Sequence, residues 1–108
     1  RINNGTDAPV EDIDPFASYP ASVTRIMNTG DAFFPAQAMT RMEALKSYTL
    51  DNAYSAFEED IKGSLEIGKL ADLAVLSDNL LTVPDNQLTS IQVDYTLIGG
   101  EIRYQRSP

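Results

Sequence analysis

Residues 91–105 carry the pattern that most restricts what this chain can fold into. Ile91, Val93, Tyr95 and Leu97 alternate with Gln92, Asp94 and Thr96, the period of two that sends successive side chains to opposite faces of a strand. Gly99-Gly100 follows, and glycine tolerates the positive φ of a two-residue hairpin turn. Folding about that turn sets Leu97 against Ile102 and Tyr95 against Tyr104 on one face. Thr96 then meets Arg103, and Asp94 lies opposite Gln105, on the other. The continuous apolar run Leu73-Ala74-Val75-Leu76 reads as a further strand of the same sheet, covered on both faces.

Upstream of Gly63 the pattern is helical. Asp14-Pro15 is a start signal, a capping carboxylate followed by proline at the first helical position. The helix is expected to run to about Met27, although Pro20 removes one amide donor. Asn28-Thr29-Gly30-Asp31 reads as a loop. Thr40-Arg41-Met42-Glu43 is a capping box, with Met42, Leu45 and Tyr48 on one face of the helix that follows. A second short helix from about Asp51 carries Ala53, Ala56 and Phe57, and should stop before Glu58-Glu59-Asp60, whose charge opposes the helix dipole at that end. Residues 1–9 read as the end of a short strand entering a loop, with Asp7 projecting where the strand stops. Residues 63–69 are a glycine-punctuated link, and Asp78 to Asn86 is a loop containing Pro84. Helices first and strands last imply an α+β arrangement of two layers, or parts of two domains.

Composition narrows the chemistry. The chain has 108 residues, enough for one domain, and 43% are apolar, as in a folded rather than a disordered chain. It has no cysteine and no histidine, which removes thiolate metal sites and the commonest general base and metal ligand. Catalysis by this chain alone would rest on carboxylates, lysine, serine or tyrosine. The net charge of −8 repels phosphate backbones and anionic membranes, so neither nucleic acid nor membrane is expected as a partner. No apolar run approaches the roughly 20 residues that span a bilayer. The chain opens Arg1-Ile2-Asn3-Asn4-Gly5 without methionine or signal peptide, and is expected to be cut from a longer one. The compartment is left open, with the cytoplasm the default and an exported form not ruled against.

Four segments in order resemble the C-terminal third of the amidohydrolase superfamily, and together they cover nearly the whole chain. Gly5-Thr6-Asp7-Ala8-Pro9-Val10 is similar to the strand-eight motif of amidohydrolase family 3, the branch that includes N-substituted formamide deformylases. Glu43-Ala44-Leu45 to Asn52-Ala53 resembles the family's helix pair. Gly63-Ser64-Leu65-Glu66-x-Gly68-Lys69-x-Ala71-Asp72-Leu73 resembles the return from barrel to β-sandwich, and Gly99-Gly100-Glu101-Ile102 the closing hairpin.

The resemblance implies that residues 1–62 end a (β/α)8 metallo-hydrolase barrel, with its last strand, loop and helices. It implies that residues 63–108 form the C-terminal strands of a small β-sandwich built from both chain ends. It further implies a metal-dependent hydrolase that attacks a non-peptide carbon–nitrogen bond of a small amide-type substrate through metal-activated water, zinc being the usual metal. Asp7 would be both metal ligand and catalytic proton carrier, since a carboxylate ligates a hard cation and accepts a proton. The histidine ligands of the family have no counterpart here, so the chain by itself is expected to be inactive and to bind no metal stably. The partner it needs is the rest of its own chain, and a homo-oligomer is left open.

Each residue also has a plainer reading. Asp7 taken alone is a turn or capping aspartate. Gly63 and Gly68 lack P-loop spacing and no serine or threonine follows Lys69, so they are turns. Glu58 to Asp60 lacks the spacing and central glycine of a calcium loop. Tyr95 and Tyr104 read as a packed cross-strand pair, and Arg25, which could face a substrate, as a surface arginine. The alternative to a hydrolase segment is a non-enzymatic β-rich interaction module made of Gly63 to Pro108.

Overall fold

A computed structural model describes residues 1–107. These residues are α+β: three short helices, then a three-stranded antiparallel sheet in the order β1-β2-β3. The helices are α1 (Pro15–Thr24), α2 (Arg41–Tyr48) and α3 (Leu50–Ser55), and the strands are β1 (Leu73–Leu76), β2 (Val93–Ile98) and β3 (Glu101–Gln105). Two 3-10 helices, Pro35–Gln37 and Asp85–Ser90, fill the connections.

Local signals set the helix starts. Asp14 accepts a hydrogen bond from the Phe16 amide at 2.9 Å, with Pro15 next in line. The Thr40–Glu43 capping box forms in both directions: the Glu43 amide donates to Thr40 Oγ1 at 3.2 Å, and the Thr40 amide to Glu43 Oε2 at 2.8 Å. The Thr40 amide and, after it, the Thr40 hydroxyl, which donates to the same Glu43 Oε2 at 2.8 Å, hold the Glu43 carboxyl below its ordinary value.

The helix ends differ from those expected. Helix α1 runs through Pro20 but stops at Thr24 rather than near Met27, because Arg25 turns left-handed (φ 58°) and its amide closes on the Ala21 carbonyl. Helix α3 stops at Ser55, so Ala56 and Phe57 lie beyond it, and Phe57 is left-handed and exposed. On α2 Ala44 and Ser47 are buried, Leu45 and Tyr48 of the expected face pack half-buried against the core, and only Met42 of that face is exposed. The expected strand before Asp7 is also absent. A strand needs a neighbouring strand to bond, and Asn4 N–H instead donates to the helical carbonyl of Ser47 at 3.0 Å.

The three strands form one sheet, as the alternation implies, with Leu97 opposite Ile102 and Ile98 opposite Glu101. One residue further the register slips by one. Thr96 pairs with Tyr104, and Tyr95 with Gln105. The expected Tyr95–Tyr104, Thr96–Arg103 and Asp94–Gln105 pairs are therefore corrected: Arg103 is the extra residue of a bulge, which a uniform period of two does not contain. Strand β1 pairs with β2, Leu73 opposite Leu97 and Val75 opposite Tyr95. It is not covered on both faces, since Ala74 and Val75 are exposed.

The core lies between the helices and the segment leading into β2. Phe16, Tyr19 and Ala44 pack with Leu80, Val83, Leu88 and Ile91. Arg41 ties the two sides together, donating to the carbonyls of Leu80 at 2.6 Å and Val83 at 2.7 Å and pairing with Asp85. Tyr19 donates its hydroxyl to the Arg41 carbonyl at 2.9 Å, and burial raises its pKa although the nearby guanidinium opposes this.

Candidate functional site

Asp7 sits at the start of a tight turn and is exposed. Its φ is +59°, and its carbonyl accepts the amides of Val10 at 2.9 Å and Glu11 at 3.2 Å. The Ala8–Pro9 bond inside this turn is cis. A left-handed aspartate is uncommon but among the better-tolerated non-glycine cases.

Anchors lie on either side of this turn. Upstream, Asn4 is held by α2 and α3. Its amide donates to the Ser47 carbonyl, its Nδ2 donates to Ser47 Oγ at 2.9 Å, and its carbonyl accepts Asn52 Nδ2 at 2.9 Å. Downstream, the Asp14 cap begins α1. Sequence reading did not single out Asn4, Ser47 or Asn52 for this, because the partners lie 43 and 48 residues apart in the chain.

Among the described residues no group of three or more His, Cys, Asp or Glu side chains could hold a metal ion. The described residues do not by themselves fit a metal centre. Arg25 is engaged elsewhere: its Nε donates to the Phe33 carbonyl at 3.0 Å and its guanidinium lies over the Phe33 ring. It braces the loop that returns from α1.

The glycine-punctuated link has a structural logic. Lys69 is largely buried and donates to the Glu59 carbonyl and to Ser64 Oγ, so the ammonium closes the loop rather than meeting a phosphate. Asp72 accepts the Gly99 amide at 2.8 Å, and the Ala71 carbonyl accepts the Gly100 amide at 3.0 Å. The motif's Ala-Asp pair therefore holds the tip of the β2–β3 hairpin. Among the described residues no helix is long and apolar enough to cross a membrane.

The model of a family described as "Amidohydrolase family" matches residues 1–104. The chain belongs to the amidohydrolase family. N-substituted formamide deformylase of Arthrobacter pascens is 31% identical over 107 residues, covering 99% of this chain and 20% of that protein. YtcJ of Bacillus subtilis (strain 168), an amidohydrolase by name, is 30% identical over 106 residues, 95% of this chain and 20% of its own length. Protein LONG AFTER FAR-RED 3 of Arabidopsis thaliana is 37% identical over 101 residues, 93% of this chain and 17% of its own. The chain thus spans about one fifth of the length of the curated relatives it matches. No solved structure matches.

Proposed function

We propose that the chain is the C-terminal part of a metal-dependent amidohydrolase that cleaves non-peptide carbon–nitrogen bonds of small amide-type substrates. The observation that carries this reading is the family match across residues 1–104, alongside the similarity to an N-substituted formamide deformylase over 99% of the chain. In the proposed whole protein residues 1–62 close the hydrolase barrel and residues 63–108 add strands to a composite β-sandwich. Active sites of such barrels lie at the C-terminal ends of strands, where the Asp7 turn would then sit.

A divalent metal, zinc in this reading, would polarise the carbonyl and acidify a water, held mainly by ligands that these residues do not supply. Asp7 takes the proton that the attacking water loses and returns it to the departing nitrogen. An exposed carboxylate on a turn anchored on both sides suits that task, because it is accessible and its backbone is held in place.

The rival reading, a self-contained module from Gly63 onward, is disfavoured by the core. Leu80, Val83, Leu88 and Ile91 are buried against Phe16, Tyr19 and Ala44, so removing the helices would expose them. The test is hydrolysis of N-substituted formamides by the full-length protein. Turnover that is lost on chelation, restored by zinc and absent from the 108-residue chain alone is expected. Metal-dependent turnover by the 108-residue chain, or chelator-resistant turnover by the full-length protein, would overturn the reading.

A further inference from the structure

We infer that Asn52 and Ser47 are positioning residues that fix Asp7 through Asn4, an inference that rests on the proposed role of Asp7. Both polar backbone groups of Asn4 are bound to the helix pair: its amide to the Ser47 carbonyl at 3.0 Å and its carbonyl to Asn52 Nδ2 at 2.9 Å. The side chain adds a third bond, Nδ2 to Ser47 Oγ at 2.9 Å. The acceptor is itself held still. Ser47 is 1% exposed and donates its own proton to the Ala44 carbonyl at 2.7 Å, which turns an oxygen lone pair toward Asn4.

Asn52 works as a double donor. Its Nδ2 reaches both the Asn4 carbonyl and the Tyr48 carbonyl, the latter at 3.2 Å. Tyr48 ends α2 and Asn52 lies in α3, with the irregular Thr49 between them (φ −124°, ψ −89°). One amide group therefore sets the junction of the two helices and the incoming segment together.

Among the described residues no backbone hydrogen bond holds Gly5 or Thr6, although Thr6 is half-buried. A Cβ built on Gly5 would meet nothing within 4 Å, and the hydrogen bonds to the Asp7 carbonyl come from within its own turn. The turn is closed on itself and joined to the body at Asn4 on one side and at α1 on the other. Loosening the Asn4 anchor leaves the turn intact but lets it move as a unit, carrying the carboxylate with it.

Asn52→Asp tests this, since it keeps the shape but sets carboxylate oxygens against two carbonyls. Ser47→Ala is the second variant, removing the side-chain acceptor with a small change of volume. Both are measured beside Asp7→Asn in the full-length protein hydrolysing an N-substituted formamide, with kcat and KM separated. Hydrogen exchange at the Asn4 amide is followed in the same variants. Expected are faster exchange at Asn4 with the amides of α2 still protected, and a fall in kcat approaching about 10²-fold with KM little changed, the size that misplacement of a reacting group by about 1 Å produces. Should Asn52→Asp fail to fold, Ser47→Ala decides. If Asp7→Asn abolishes turnover while the folded clamp variants keep kcat at the parent value, the inference is overturned and the reading of Asp7 stands. If Asp7→Asn is itself silent, the reading fails and the inference falls with it.

Discussion

At Gly63 the fold leaves no room for a methyl group. A Cβ there would lie 2.7 Å from the Ala53 Cβ and 3.0 Å from the Leu50 Cα, and the residue is left-handed at φ +91°. Gly68 shares the conformation (φ +97°) but faces open space, so the pair separates backbone strain from collision. Gly68→Ala should cost about 1–2 kcal/mol from the left-handed backbone alone. Gly63→Ala should cost a further roughly 1–3 kcal/mol from overpacking, and urea unfolding of the two variants side by side measures the difference. Glu43 offers a pH test. Hydrogen bonds from Thr40 depress its folded pKa below the ordinary 4.5, so its capping contribution is present above that value and is lost as pH falls through the lower folded one. The melting temperature of Glu43→Ala should therefore lie below that of the parent at neutral pH, with the gap shrinking in acid; a gap independent of pH would show that the carboxylate is not what caps α2.

At the scale of elements the β2–β3 hairpin gives the sharpest check. The bulge at Arg103 places Thr96 opposite Tyr104 and Tyr95 opposite Gln105, so direct Hα–Hα or amide–amide nuclear Overhauser contacts should join those pairs, and a direct Tyr95–Tyr104 contact of that kind would contradict the register. The turn, the first two pairs, the Asp14 cap and the Thr40 capping box could all be read from sequence because each is decided within a few neighbouring residues. The bulge could not, because strict alternation through Ile102, Arg103 and Tyr104 fits either register. On α2 the spacing marks Leu45 and Tyr48, which do pack against the core, whereas Met42 of the same face is exposed and the close approach of neighbouring elements buries small Ala44 and Ser47. Asp7 stood out only through the motif around it; its anchor at Asn4 depends on contacts with distant helices that no local pattern records.

Across the whole molecule one core joins helices to sheet. Leu88 is fully buried in it, in the 3-10 helix before β2, although the sequence around it shows no period that would mark it. Leu88→Ala should lower stability by about 2–5 kcal/mol. Helical and strand signals should melt together in that variant, and a sheet that persists after the helices have melted would show two independent units. The functional account stands or falls on Asp7 in the full-length protein. Asp7→Asn keeps the shape of the side chain and removes its ability to take a proton, a contribution typically worth about 10²–10⁴-fold in rate. The deciding measurement is turnover of an N-substituted formamide per folded molecule, taken beside the melting temperature of the same preparation. A loss of that size with the melting temperature unchanged is the predicted result; near-normal turnover from a folded Asp7→Asn protein would contradict it.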